Sequence, residues 1–355
     1  MTDRMNHLTS MLGIDQPIVL GPFGGLSSVE LSATVSELGG LGSFGLYGYD
    51  ADRIAEAASA IRASTSRPFN LNIWLPLTDP EADAPLPRSD YDDAVEALRP
   101  FFDEVGVPVP TEPPAQYLPS FDEQWEAVLE ARPAVASFVF GVPAEGVVES
   151  ARAHGIRLVG TATSVDEAVA LEESGVDAIV ATGLEAGGHR VSFLRQPERA
   201  LVGSISLIPQ VVDAVDVPVI AAGGIADRRG VAAAFALGAS GVQVGTAFLR
   251  TRQSAANDAH RAAIAATAAH DTVLTRAMSG RLARGAANRV VREIEQGGVI
   301  APFPVQNWMT GKFRVEAIRQ GRADLQSLWM GQSAPLAVHD DVGDVFEELA
   351  AGIPD

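Results

Sequence analysis

The chain has 355 residues, is 47% hydrophobic and 20% charged, and carries a formal net charge of −19. That length supports a large α/β core with room for an accessory piece. The absence of cysteine excludes disulfides, thiolate catalysis and thiolate-bound metal, and the acidic balance lacks the basic face that nucleic-acid binding needs.

The N-terminal stretch MTDRMNHLTSMLGIDQP has no apolar run behind a basic start, so it does not read as a secretory signal. No apolar run is long enough for a membrane span. The expectation is a soluble cytoplasmic protein with no nucleic-acid or membrane partner. Its oligomeric state is not legible.

From there, short apolar runs alternate with alanine-rich amphipathic segments. PIVLGPFGG (17–25) reads as a strand ending in a glycine turn, followed by a helix over 28–40 with Ser28 as N-cap. LGSFGLYG (41–48) is a second strand, 50–65 a helix, and PFNLNIWLP (68–76) a third strand. The series continues with strands at 133–141, 156–163, 177–183, 217–224 and 241–249, separated by helical segments. The strands are apolar on both faces, as buried parallel strands are. Eight such units match a closed (β/α)8 TIM barrel. The competing doubly wound sheet would carry its phosphate motif after the first strand, where GPFGGLSS has no G-x-G-x-x-G register.

Two regions break the alternation. Residues 77–125 are rich in proline and acid, and read either as a solvated loop with one helix or as a lid over the barrel mouth. From Arg252 the chain reads as helices, and 252–324 carries 11 Lys and Arg against 6 Asp and Glu. These arginines either pair with the acidic barrel or place positive potential over its mouth. The predicted organisation is a barrel over 1–251, a small helical domain inserted after strand eight over 252–324, and a return to the barrel over 325–355.

The glycine turns carry the chemistry. AAGGIADRRG (221–230) and GVQVGTAF (241–248) end strands seven and eight, where such barrels bind phosphate. Gly223 and Gly224 allow close backbone approach, while Gly245 and Thr246 offer an N–H and a hydroxyl to the same group. At the end of strand six, GLEAGGHR places His189 after two glycines, on the same face. An imidazole there can act as a general base near neutral pH. Glu185 of that loop reads as a structural cap. The two-residue period puts Asn72 and Trp74 on one side of strand three, where an amide could bond a planar heterocycle and needs a polar partner. Ser27, Ser28 and Thr182 have turn or capping explanations. No metal-binding spacing such as H-x-x-E-H appears.

The stretches GLGSFG, NLNIW, GLEAGGH, PVIAAGGIAD and GVQVGTAFL together resemble the nitronate monooxygenase family, formerly called 2-nitropropane dioxygenases. The resemblance runs from about Gly13 to the C-terminus and includes RAMSGRLARG and SLWMGQSA. It implies a (β/α)8 barrel that binds FMN and oxidises alkyl nitronates, such as propionate 3-nitronate, with O2 to carbonyl compounds. It further implies that Asn72, Gly187, Gly223 and the turn Gln243, Val244, Gly245 and Thr246 contact FMN, with His189 as catalytic base. Phe23 stands where the family has methionine beside the flavin, and Thr182 where it has glutamine. The main alternative on this fold is an NAD(P)H-dependent FMN reductase of the quinone or enoyl type. A non-catalytic phosphate binder and a phosphate-sugar isomerase share only the glycine turns.

Overall fold

The computed structural model describes residues 2–76 and 86–354. Helix α1 (Thr2–Leu12) precedes β1 (Ile18–Leu20), α2 (Val29–Glu37), β2 (Gly42–Gly45), α3 (Ala51–Ser64) and β3 (Phe69–Trp74). Helices α4 (Arg88–Val105) and α5 (Phe121–Ala131) lead to β4 (Val135–Val139), α6 (Glu145–Ala153), β5 (Arg157–Ala162), α7 (Val165–Ser174) and β6 (Ala178–Thr182). Then come β7 (Gly188–His189), α8 (Ser204–Ala214), β8 (Val219–Ala222), α9 (Arg228–Ala236), β9 (Gly241–Val244) and α10 (Thr246–Leu249). The chain continues through α11 (Asp258–Ala266), β10 (Thr272–Thr275), β11 (Ala283–Ala286), α12 (Arg289–Gly297), α13 (Val305–Arg319) and α14 (Val342–Ala350).

Eight parallel strands pair in the order β1-β9-β8-β6-β5-β4-β3-β2. A parallel bridge between Val19 and Leu41 joins the two ends of that sheet, giving the TIM barrel. Each of the eight lies within a segment expected from the sequence. Side chains alternate as a barrel requires. Leu71 and Ile73 of β3 pack outward into the helix layer. Asn70 and Asn72 turn inward, where their Nδ2 groups donate to Ser137 Oγ at 2.9 and 3.0 Å. Below them Val19, Leu41, Val135, Val159, Val180 and Ile220 fill the barrel, closed by Leu8 and Leu12 of α1. Helix α1 thus plugs the bottom and leaves the C-terminal face for chemistry. The sequence reading had left this segment unassigned. Ser28 caps α2 as expected, accepting from Leu31 N–H at 3.0 Å.

The segment 252–324 is not purely helical. Strands β10 and β11 pair antiparallel, and β11 also pairs with β7. The sequence hides this because ARGA (283–286) carries no β-branched or aromatic residue. The same segment shares a second core with α4, whose Tyr91, Leu98, Phe101 and Phe102 pack with Val290, Ile294, Met309 and Phe313. The 88–105 stretch, read as a loop helix or a lid, is therefore a wall of that second core. Residues 77–85 of the proposed lid lie outside the described residues. The C-terminal return places Val345, Phe346 and Leu349 of α14 in the main core.

Glu167 ties two loops of the functional face together. It is fully buried, and its carboxylate accepts from Thr163 N–H and Oγ1, both at 2.7 Å. It also accepts from Phe193 N–H at 2.7 Å and Leu194 N–H at 3.2 Å, in the loop after His189. Glu167→Gln turns an amide NH2 toward backbone N–H groups that can only donate, at either carboxylate oxygen position. The expected loss is about 1–3 kcal/mol of unfolding free energy, measurable by urea denaturation. An unchanged midpoint would contradict the bracket.

Candidate active site

Strands β8 and β9 are neighbours, with Ala222 opposite Gln243. Their C-terminal turns therefore lie side by side. Gly223 and Gly224 hold φ of +94° and +77°, backbone that only glycine adopts freely. Among the described residues, no protein acceptor takes the N–H groups of Gly223, Gly224, Gly245 or Thr246. Open donors in adjacent turns are the chemistry of an anion cradle. The N-terminus of α9 is not part of it, because Asp227 already accepts from Arg229 and Gly230 N–H there. Thr246 Oγ1 accepts from Gly331 N–H at 2.9 Å, which leaves its own hydrogen to donate.

The other expected cofactor residues divide by direction. Gln243 pairs with Val19 and Ala222, both of which face the barrel interior. It shares that direction, stays partly exposed, and its amide has no hydrogen bond among the described residues. Thr182, opposite Ala222, also faces in. Phe23 lies against Gly245, where an added Cβ would meet Phe23 Cε1 at 3.6 Å. Asn72 is more occupied than expected, since its Nδ2 donates to both Ser137 Oγ at 3.0 Å and Ser137 O at 3.2 Å. Val244 turns its side chain into the core shared with the helices, and its carbonyl accepts from Gly21 N–H at 2.8 Å. The strict alternation that turns Gln243 inward sends Val244 outward. Gly187 admits the chain at Met330–Gly331, since a Cβ there would fall 2.5 Å from Met330 C. Glu185 is structural, as expected. Its carboxylate accepts from Ser204 N–H at 3.0 Å and Ser204 Oγ at 2.9 Å, at the start of α8.

His189 is fixed by the short β7–β11 pairing, in which it lies opposite Ala283. Its ring stands in an aromatic box, with centroids of Trp74 at 5.3 Å, Trp329 at 5.6 Å, Phe303 at 6.2 Å and Phe140 at 6.4 Å. Nε2 is 2.9 Å from Ser279 Oγ. That hydroxyl donates its single hydrogen to Arg281 O at 2.9 Å and accepts from Arg281 N–H at 3.3 Å. With the Ser279 hydrogen on Arg281 O, Nε2 carries the imidazole hydrogen, and Nδ1 keeps the lone pair that accepts a proton. Burial, aided by the cations of Arg281 and Arg314, holds the imidazole pKa down to about 3. The ring is neutral at physiological pH.

The profile of the family described as nitronate monooxygenase matches residues 5–352. The chain is 40% identical over 348 residues to a probable nitronate monooxygenase of Staphylococcus aureus (strain JH9), covering 97% of this chain and 96% of the relative. The chain belongs to the nitronate monooxygenase family. It is thus an oxidoreductase. Among solved structures it is similar to a nitroalkane oxidase from Streptomyces ansochromogenes, with TM-score 0.88 and 34% identity, covering 97% of this chain and 96% of that one. It is also similar to FabK from Thermotoga maritima, with TM-score 0.73 and 29% identity, covering 96% and 94%.

Within this family member, several residues around His189 escaped the sequence reading. Ser279 and Trp329 lie in RAMSGRLARG and SLWMGQSA, which entered only as family stretches. Trp329 is anchored by His260, whose Nε2 is 2.8 Å from the Trp329 carbonyl. His260 had been given no role. Tyr47, Asn307 and Arg314 carried one usable signal: Asn307 and Arg314 are seven apart and share a helix face. Lys312 of the same helix is exposed and lies over the Trp308 ring at 4.9 Å.

The neutral imidazole has a consequence for stability. His189 and His260 both have pKa values lowered by burial. Below the unfolded value of about 6.5, the unfolded chain binds these protons and the folded one resists them. Stability is therefore full above that pH and declines as pH falls, by up to about 1.4 kcal/mol per pH unit for each histidine. Urea midpoints between pH 7 and 5.5 should show this slope. His189→Asn should remove its share and keep that of His260; an unaltered slope would contradict a neutral buried His189.

Proposed function

We propose that the protein oxidises alkyl nitronates, propionate 3-nitronate among them, with O2 to carbonyl products, using FMN bound in the barrel mouth. The observation that carries this reading is the neutral His189. It has an open Nδ1, stands in an aromatic box, and sits at the same strand-end face as the open N–H groups of Gly223, Gly224, Gly245 and Thr246. Those donors suit one phosphate monoester, which favours FMN over a dinucleotide. Gln243, with its unpartnered amide, is the first candidate for the flavin ring edge; Phe23, Asn72 Oδ1, Thr182 and Gly187 complete the seat. Bound there, FMN would supply the redox chemistry, as acceptor for the substrate's electrons and donor to O2.

The chain's own groups do the rest. For a neutral nitroalkane, Nδ1 of His189 takes the α-proton, and Ser279 holds the ring while it does so. A preformed nitronate needs no such step. Trp74, Phe140, Phe303 and Trp329 keep water from the reacting carbon. In this reading 1–251 carries the cofactor, 252–324 covers the substrate, and 325–355 returns to the barrel. The reaction is assigned to the cytoplasm.

Heat-released chromophore should be FMN by chromatography; FAD would contradict the single-phosphate cradle. His189→Asn should leave flavin bound and cut proton abstraction from neutral nitroalkanes by about 10²- to 10⁴-fold. Oxidation of preformed nitronate should suffer far less. Equal losses on both substrates would show that His189 is not a base. Anaerobic bleaching of the flavin by NADH or NADPH but by no nitronate would favour the reductase alternative.

A further inference from the structure

Tyr47, Asn307 and Arg314 stand together on the His189 side of the mouth. The Tyr47 ring lies 4.4 Å from Trp74, which is 5.3 Å from His189. Phe303 lies 6.2 Å from both Tyr47 and His189. Asn307 Nδ2 donates to the Tyr47 hydroxyl at 2.7 Å, and Arg314 Nη2 donates to Asn307 Oδ1 at 2.9 Å. His189, Tyr47 and Arg314 each keep some accessible surface, yet burial is the largest influence on the pKa of each. Groups surrounded by protein that still keep accessible surface line a recess, not the outer face.

The charge in this recess is not neutralised. Arg314 donates to Ser327 Oγ at 2.6 Å, Asn307 O at 3.1 Å and Asn307 Oδ1 at 2.9 Å, all neutral acceptors. Its Nε is buried with no partner. Arg289 and Arg322, in the same segment, pair with Glu104 and Asp324 instead. A desolvated cation without a counter-ion is costly, and a ligand that brings the missing charge recovers the cost. Burial raises the Tyr47 pKa to about 12, so the phenol stays protonated. Its oxygen accepts from Asn307, which leaves its hydrogen to donate.

We infer that Arg314 is the substrate's counter-ion and that Tyr47 supplies the second donor, so that together they select anionic substrates over neutral nitroalkanes. The fitting ligand group is planar with two anionic oxygens, either the nitronate itself or a carboxylate on the substrate chain. The nitronate source rests on the function proposed above; the anion site does not.

The test uses the purified holoprotein and Asn307→Asp, a change of one atom type that gives Arg314 an internal counter-ion without deleting buried bulk. Arg314→Gln and Arg314→Lys accompany it. The value of kcat/KM for ethyl nitronate and propionate 3-nitronate should fall about 10- to 100-fold in Asn307→Asp and Arg314→Gln, through KM. Neutral nitroethane below its own pKa should keep its KM, because its negative charge forms only after binding, and Arg314→Lys should retain part of the lost affinity. A loss confined to propionate 3-nitronate assigns the site to the carboxylate; a loss on both assigns it to the nitronate oxygens. Independently of turnover, nitrate titrated against tryptophan fluorescence should bind the native protein and bind Asn307→Asp more weakly. Native protein that binds nitrate in this way but oxidises no nitronate keeps the anion site and refutes the proposed function. Nitronate oxidation and nitrate binding that are both unaltered in Asn307→Asp overturn the inference and leave the function standing. An equal rise in the KM of nitroethane also overturns it.

Discussion

The two-residue pairing of Gly188–His189 with Ala283–Arg284 is the contact on which the site depends. It joins the loop after β6 to a segment nearly a hundred residues later, and so couples the barrel to the second core. Remove it, and His189 would be a residue on a glycine-rich loop with free rotation. With it, the backbone of His189 is held on a strand, its ring meets Ser279 from the adjacent turn, and Trp329 closes one side. Glycine at 188, with φ of +78°, lets the loop turn sharply enough to enter that strand. The flexible stretch and the fixed imidazole are two parts of one design: glycine provides the approach, and the antiparallel pairing removes the freedom that glycine brings.

Around that contact the protein manages positive charge with carbonyl dipoles. Arg190 is 1% exposed and donates to Gly183 O at 2.7 Å, Ala200 O at 3.2 Å and Thr182 O at 3.3 Å. Arg284 donates to Leu184 O at 3.0 Å and Thr272 Oγ1 at 3.1 Å. These neutral acceptors leave the charge in place, and Arg190 Nε is buried without a partner. Burial lowers the Arg190 pKa to about 10, which still leaves it charged at neutral pH. The loop after β6 is thus pinned by cations whose field is partly offset by the nearby carboxylates of Glu167 and Glu185. A protonated imidazole beside Arg281 and Arg314 would be repelled, and a neutral one is not. The same field favours an anion placed there.

The barrel was legible because its signal is repeated: eight apolar runs, each followed by an amphipathic helix. The glycine turns were legible because closeness of β8 and β9 follows from the barrel order alone. The substrate side was not, and the reasons are particular. Strand β11 reads ARGA, without a residue that prefers a strand, and exists only because TVLT and Gly188–His189 flank it. Tyr47 and Arg314 meet through Asn307 across more than 250 positions, a juxtaposition no local period encodes. Asn72 shows a subtler limit. The two-residue period placed it inward, but only the structure shows that Ser137 claims its Nδ2. Gln243, one of four residues in a turn, proves the freer amide.

The charge of the segment after strand eight needs a different account from the one its composition invites. Its excess of Lys and Arg suggested a basic surface over the mouth. Most of that surface is paired: Arg252 with Asp341, Arg261 with Asp258, Arg276 with Glu198, Arg319 with Glu316, and Arg289 and Arg322 with Glu104 and Asp324. Exposed pairs of this kind contribute little field at a distance in physiological salt, where screening acts over about 8 Å. A chain of net charge −19 therefore presents no long-range attraction to an anion. Arg314, in contrast, is held inside on neutral acceptors, where screening by salt is weak. Attraction that begins only once the ligand has entered sets residence more than encounter. Discrimination for negative charge in this protein is then a property of the recess and not of the surface around it.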